Sequence, residues 1–108
     1  MSKISLIAKL TAAEGKSDDL EAVLEAIAAI QGQKILVQGG GSLASKMEES
    51  MGLEPKMVQG RRVTSKESLE VVTMVYAGLI NKKVVATLQK HGANGLGLAG
   101  ADGDIIRT

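Results

Sequence analysis

The sequence predicts an α/β fold, a three-layer sandwich built around a mainly parallel sheet. Three observations support this prediction: residues 4–10 alternate like a strand, residues 17–30 carry a helical apolar stripe, and residues 34–38 form a short apolar run. Strands that alternate with helices along a chain form parallel sheets through right-handed crossovers. The 108 residues fit one domain, 1–108, with a single core.

The composition excludes several classes of function. Thirteen basic and twelve acidic residues leave a net charge of +1, without the clustered basic face of a nucleic-acid binder. The longest apolar runs are shorter than the roughly 20 residues of a membrane-spanning helix, so no membrane partner is expected. Cysteine is absent and Tyr76 is the sole aromatic residue, which excludes disulfides and most stacking on bases. A cytoplasmic location is the default expectation.

Local patterns predict the first strand and helix. Residues 4–10 place apolar side chains at every second position, as in a strand covered on at least one face. Ser17 can cap a helix whose first turn carries Asp18 and Asp19, and acidic groups there complement the positive end of the helix dipole. The buried stripe of this helix is predicted to comprise Leu20, Val23, Leu24, Ile27 and Ile30.

Residues 34–38 predict a second strand, of the kind that is buried on both faces. The three glycines 39–41 follow it directly and lead into a helix that ends at Gly52. The order is therefore strand, glycine loop, helix. The apolar stripe of this helix is predicted to comprise Leu43, Met47 and Met51.

The second half of the chain continues the alternation. Residues 57–64 predict a small hairpin, and a capping box at Thr64 and Glu67 opens the longest helix. Residues 94–100 predict a central strand and residues 105–106 a final edge strand. The buried stripe of the long helix is predicted to comprise Leu69, Val72, Tyr76 and Leu79.

The glycine loop is the strongest candidate for a binding site. It lies at the carboxyl end of a predicted parallel strand and before a helix, where free backbone N–H groups and the helix dipole favour an anion. Three glycines could instead only make a tight turn. Arg61 and Arg62 lie beside the hairpin, where one guanidinium could hold a carboxylate through two parallel hydrogen bonds, or both could be solvated. Only one of two neighbours on a strand can face a given pocket.

Other motifs do not predict a site. The glycines of residues 95–100 match G-x-G-x-x-G, but the motif needs a strand before it and a helix after it, so no dinucleotide is expected. His91 is best explained as a helix cap, and Asp102 and Asp104 as turn formers. No catalytic residue, cofactor or metal site is therefore assigned.

Several segments resemble the amino-acid kinase family. From about residue 30 to residue 108 the chain is similar, in unbroken order, to the N-terminal half of an acetylglutamate kinase. This resemblance implies a truncated, Rossmann-like domain of that family, in which Gly40, Gly41 and Arg62 face an N-acetylglutamate substrate. The segments that carry it are GGG at 39–41, LEPKMV at 53–58, GRRVT at 60–64, VVTMVYAG at 71–78, INK at 80–82 and GADG at 100–103.

The opening of the chain departs from this family. Amino-acid kinases begin with a strand that ends in a Lys-x-Gly-Gly phosphate loop, whereas here Lys9 is followed by Leu-Thr-Ala. Residues 1–28 instead resemble the first strand and helix of ferredoxin-like domains of the antibiotic-biosynthesis-monooxygenase type. We therefore expect an engineered chimera, in which a strand–helix unit, 1–28, is grafted onto an amino-acid-kinase-like segment, 29–108.

The main functional expectation is accordingly a designed chimeric domain that is not an enzyme and needs no cofactor. It could retain a carboxylate-binding loop at Gly40, Gly41 and Arg62. The alternative is a fragment of an acetylglutamate-kinase-like phosphotransferase that binds N-acetyl-L-glutamate, or another small carboxylate. A homo-oligomer is expected if the truncated domain exposes a sheet edge or an apolar face.

Overall fold

A computed structural model describes residues 4–10, 17–39, 41–53, 56–59, 61–63 and 65–107. Strands and helices alternate along the chain, so the predicted α/β class is confirmed. The elements are β1 (Ile4–Leu10), α1 (Ser17–Ala29), β2 (Gln33–Gln38), α2 (Gly41–Ser50), β3 (Lys56–Val58), β4 (Arg61–Val63), α3 (Lys66–Thr73), a π-helical segment (Met74–Ile80), α4 (Asn81–Lys90) and a 3₁₀ turn (Asp102–Asp104).

β1 and β2 form a parallel pair, as predicted for strands joined through a helix. Ile7 lies opposite Ile35, and Ala8 lies opposite Leu36. Along β2, Leu36 is half-buried whereas Ile35 and Val37 are 43% and 47% exposed. The prediction that β2 is buried on both faces is therefore wrong. Within the described residues β2 has one neighbouring strand, and only one of its faces is covered.

The C-terminus of α1 is capped by a side chain of the following strand. Lys34 of β2 donates from Nζ to the carbonyl oxygens of Ile27 at 3.1 Å, Ala28 at 3.4 Å and Ile30 at 2.5 Å. A positive charge at this end also complements the helix dipole. Gly32 has a φ of 96°, which lets the chain reverse direction before β2. The turn between α1 and β2 thus depends on the hydrogen bonds of Lys34 and on the backbone conformation of Gly32.

β3 and β4 form the predicted hairpin and pair in antiparallel fashion. Met57 lies opposite Arg62, and Val58 lies opposite Arg61. Gln59 begins the turn with a φ of 51°, in the left-handed region that short hairpin turns use. Gly60 lies outside the described residues.

The start of α3 differs from the predicted capping box. Ser65 is the N-cap, with extended backbone angles, and its side chain accepts a hydrogen bond from the Ser68 N–H at 3.1 Å. Thr64, the predicted cap, lies outside the described residues. Glu67 is in the first turn, where its charge suits the helix dipole. Two consecutive hydroxyl residues can both begin a helix, so the sequence pattern alone did not fix the register.

The buried side of the long helix also differs from the prediction. Leu69 and Tyr76 are exposed, whereas the buried side chains of α3 and the π-helical segment are Ser68, Val71, Val75 and Ile80. The predicted stripe assumed 3.6 residues per turn throughout. A π-helical turn contains more residues, because its hydrogen bonds run from i to i+5. Ser68, Val71 and Val75 keep α-helical spacing, so the buried face already differs from the predicted one in α3, and the π-helical segment explains only the five residues between Val75 and Ile80.

The predicted central strand, residues 94–100, is not formed. From residue 93 to residue 99, odd-numbered positions are half-buried and even-numbered positions are exposed, as in a strand, and Leu96 is 84% exposed. No strand pairs with this segment among the described residues. The predicted edge strand at residues 105–106 is likewise replaced by a bend. Alternation predicts an extended backbone, but a strand also needs a partner for its hydrogen bonds.

The chain divides into two compact units. The first comprises Met1–Gly39 and Lys82–Gly97, and it contains the parallel strand pair with buried Leu24 and Val84. The second comprises Gly40–Asn81 and Leu98–Thr108, in which α2 contacts α3 and the π-helical segment. Organisation as one domain, 1–108, stays a prediction.

Among the described residues, one helix could cross a membrane by length and composition alone, the 25-residue span Lys66–Lys90. Charged residues interrupt the apolar runs of this segment, so its sequence alone did not indicate a span. Core helices of soluble proteins share this length and composition. In this span 22% of the apolar window is buried, and Val71 and Val75 are each 2% exposed.

Candidate functional site

The predicted anion site begins at the N-terminus of α2. This helix starts at Gly41, three residues after the end of β2 at Gln38, so the strand, glycine loop and helix occur in the predicted order. Gly40 lies outside the described residues. The first turn of α2 contains no acidic side chain that would neutralise the helix dipole. The N-terminal N–H groups of α2 therefore provide the positive end that an anion requires.

α2 is anchored by a face different from the one predicted. Ala44 and Glu48, four residues apart, are both fully buried. Leu43 and Met47 are half-buried, and Met51 is 53% exposed, so the predicted stripe is only partly correct. Glutamate is rarely fully buried in proteins, so the sequence pattern did not predict that Glu48 lies on the buried face of α2.

Arg62, the predicted carboxylate ligand, lies in the middle of β4, where its backbone is paired with Met57. Arg61 precedes it on the same strand. Gly41 and Arg62 belong to the same compact unit. Gly41 thus lies at the N-terminus of α2 and Arg62 lies on a hairpin strand. That both contact one ligand stays a prediction.

A buried hydrogen bond connects α2 with α3 in this unit. Ser68 donates from Oγ to the Glu48 carboxyl oxygen Oε2 at 3.1 Å. Glu48 is fully buried and Ser68 is 5% exposed. The backbone N–H of Ser68 is used as well, since it donates to Oγ of the N-cap Ser65. Ser68 therefore links the start of α3 to the middle of α2.

The sequence predicts that His91 caps α4, but its ring contacts α1 instead. Its Nε2 lies 3.4 Å from Glu21 Oε1, and its Nδ1 lies 4.0 Å from Glu25 Oε1, so the ring faces α1. Lys90 also pairs with Glu21. The hydrogen bond and charge of Lys90, and then the hydrogen bond of His91, hold the pKa of Glu21 below its ordinary value. This cluster joins two helices and includes none of the predicted site residues.

The glycine-rich segment ends in a turn that confirms one prediction. Asp102 accepts a hydrogen bond from the backbone N–H of Ala99 at 2.7 Å, which is the local role expected of a turn-forming aspartate. Asp104 forms an ion pair with Arg107 three residues later. Within the part of the chain that the structure describes, no group of three or more acidic or histidine side chains could hold a metal ion.

The sequence model of the amino acid kinase family matches residues 8–108. Acetylglutamate kinase of Bacteroides fragilis is 54% identical over 89 residues, or 82% of this chain and 34% of the relative. The enzyme of that name from Bacteroides thetaiotaomicron is 56% identical over 86 residues, covering 80% and 34%. That from Methanopyrus kandleri is 51% identical over 83 residues, covering 77% and 34%.

One solved structure gives independent support for the fold. The crystal structure of smu.665 from Streptococcus mutans UA159 superimposes with a TM-score of 0.64 at 26% sequence identity. The match covers 81% of this chain and 36% of that one. This chain therefore spans about a third of the length of the proteins that it matches.

These comparisons overturn the expectation of a designed, inactive chimera. The family match begins at residue 8 and so includes most of the strand–helix unit, 1–28, that was assigned to a ferredoxin-like domain. The error has a simple cause: both families open with a strand and a helix, so the local pattern does not distinguish them. The expectation of a non-enzyme is also contradicted, since the relatives carry the name of a kinase. The chain belongs to the amino acid kinase family.

Proposed function

We propose that this chain supplies the acceptor-binding part of an acetylglutamate-kinase-like phosphotransferase and binds N-acetyl-L-glutamate through Gly40, Gly41 and Arg62. The observation that carries the proposal is the identity of 54% over 89 residues to a relative named acetylglutamate kinase. The start of α2 at Gly41, directly after the glycine loop, supports it from the structure. Another small dicarboxylate would satisfy the same groups.

The chemistry of the substrate explains why these residue types are needed. N-acetyl-L-glutamate carries two carboxylates, and their oxygens are its nucleophilic atoms for accepting a phosphoryl group. Catalysis of phosphoryl transfer consists mainly of positioning and charge stabilisation. An acceptor site must therefore hold one carboxylate firmly and present the other, and it must do so in a reproducible orientation.

The two predicted parts of the site suit the two ends of such a ligand. A guanidinium holds a carboxylate through two parallel hydrogen bonds, which fix the plane of the bound group, and Arg62 would supply them. The backbone N–H groups at the start of α2 would receive the other anionic end, and glycines at positions 40 and 41 allow close approach of the backbone. We assign no residue to the phosphoryl donor.

Binding is the appropriate readout, because the chain spans about a third of its relatives. We expect amide signals of the isotopically labelled chain to shift on titration with N-acetyl-L-glutamate. Arg62→Ala removes a charged, two-point hydrogen bond, so affinity should fall by about 10- to 100-fold. The signals of Gly39 to Gly41 should shift most in the unsubstituted chain.

Arg61→Ala is the matched control, since Arg61 is the same residue type and lies next to Arg62 on β4. It should change affinity by less than about twofold, as a solvated arginine does. An unsubstituted chain that shows no titration, or equal effects of the two substitutions, would contradict the proposal. A homo-oligomer and a cytoplasmic location stay predictions.

A further inference from the structure

Glu48 and Ser68 are the two buried polar or charged residues among those that the structure describes. The other buried side chains among the described residues are aliphatic: Leu24, Ala44, Val71, Val75, Ile80 and Val84. Burying a carboxyl group and a hydroxyl group removes both from water, so each of them needs polar partners within the fold. Two aliphatic side chains of similar volume would fill this place without that requirement.

The position of each residue indicates what the pair does. Glu48 lies seven residues after Gly41 in α2, which is about 10 Å along the helix axis from the proposed anion-binding end. Ser68 lies in the first turn of α3, six residues after Arg62. The Glu48–Ser68 hydrogen bond therefore joins the helix that begins at the glycine loop to the helix that follows the arginine strand.

A hydrogen bond restrains two helices differently from an apolar contact. Its energy depends on a donor–acceptor distance within a few tenths of an ångström and on the bond angle. Apolar contacts are not directional, so two helices that touch through them can slide with little change in energy. The bond from the Ser68 N–H to Ser65 Oγ adds to this effect, because it fixes the backbone of residues 65–68 at the start of α3.

We propose that Glu48 and Ser68 are positioning residues, which set the distance between the N-terminus of α2 and Arg62 and thereby tune the site to a ligand with two carboxylates. This inference rests on the proposed function. It predicts that loss of the bond lowers the affinity for ligands held at two points much more than for ligands held at one point. Only a ligand held at both points depends on the distance between them.

The test compares N-acetyl-L-glutamate with N-acetyl-L-alanine, which keeps one carboxylate and has neither a charge nor a hydrogen-bond acceptor in its side chain. Affinities of both ligands are measured by NMR titration for the unsubstituted chain and for Ser68→Ala, which removes the donor with little change in volume. We expect Ser68→Ala to lower the affinity for N-acetyl-L-glutamate about five- to tenfold. This lies within the range of interaction energies found between residues of one hydrogen-bond network. The affinity for N-acetyl-L-alanine should fall by less than about twofold.

Two further variants serve as controls. Ser68→Thr keeps the hydroxyl group and should restore the ratio of the two affinities. Ser50→Ala removes an exposed hydroxyl that bonds within α2, to the carbonyl oxygen of Met47, and it should leave both affinities unchanged. Dispersed amide spectra of every variant establish that each of them is folded.

The outcomes separate this inference from the proposed function. If the unsubstituted chain binds neither ligand, the proposed function fails and the positioning role fails with it. If the unsubstituted chain binds N-acetyl-L-glutamate and Ser68→Ala weakens both ligands by the same factor, or neither, the proposed function stands and the positioning role is overturned. A selective loss of N-acetyl-L-glutamate affinity, with rescue by Ser68→Thr, supports it.

Discussion

Ser65 shows how one side chain sets the start of a helix. It has a φ of −74° and a ψ of 173°, so the chain is still extended there, and its Oγ accepts the N–H of Ser68. The first N–H groups of a helix have no partner within the helix, and this bond satisfies one of them. Ser68 can then direct its own hydroxyl to Glu48.

Ser65→Ala should lower the free energy of unfolding by about 1 kcal/mol, the usual cost of removing an N-cap. Urea denaturation followed by circular dichroism measures this change. Ser65→Asp, which keeps a capping oxygen, should cost much less. A Ser65→Ala variant as stable as the unsubstituted chain would show that Ser65 is not the effective cap.

At the scale of elements, the helix from Lys66 to Lys90 is notable for its π-helical segment. Buried Val75 follows Val71 by four residues, whereas buried Ile80 follows Val75 by five. One residue more than an α-helical repeat therefore lies between two buried positions. Gly78 lies in this interval and is exposed, and a methyl group added to it would meet no atom within 4 Å.

Gly78→Ala should raise the free energy of unfolding by about 0.5–1 kcal/mol, because alanine restricts the unfolded chain and has space in the folded one. Gly92→Ala is the opposite case, since Gly92 has a φ of 89° that alanine adopts only with strain. It should lower stability by about 1 kcal/mol. Thermal or urea unfolding of the two variants measures both changes. If the two substitutions changed the free energy of unfolding in the same direction, the prediction would be refuted.

At the scale of the whole molecule, the charge cluster of α1 and α4 connects segments 69 residues apart in the sequence. Glu21 pairs with Lys90 and with the ring of His91. Lys90 lowers the pKa of Glu21, and Glu21 in turn raises the pKa of Lys90 above its ordinary value of 10.5. Both groups are solvent-exposed, so salt should screen this connection.

The pKa of Glu21 is lower in the folded chain than its ordinary 4.5, so its contribution is present above about pH 4.5 and is lost as the pH falls through the lowered pKa. Lys90 contributes to stability while it is charged, so its contribution is present at lower pH and is lost as the pH rises through its raised pKa. Glu21→Gln should therefore be less stable than the unsubstituted chain at pH 7 in low salt, and the difference should shrink as the pH falls below 4.5 through the lowered pKa of Glu21. A stability difference that keeps its full size as the Glu21 carboxylate is protonated would contradict this assignment.

Local patterns predicted more of the fold than of the contacts between its elements. The first two strands, the first two helices and the hairpin follow from periodicity, glycine and capping signals, which act over a few residues. The Glu48–Ser68 bond joins residues 20 positions apart, and nothing local marks a glutamate as buried. Residues 93–99 alternate as predicted, but pairing depends on a partner that alternation cannot reveal. The joint use of Gly41 and Arg62 rests on family resemblance.

The π-helical segment also bears on how this chain is aligned with its relatives. A π-helical turn is equivalent to an α-helix into which one residue has been inserted. A relative whose helix is a regular α-helix throughout would need a one-residue gap between Val75 and Ile80 to match both buried positions. A relative that aligns here without a gap, and keeps aliphatic residues at both positions, should have inherited the same insertion.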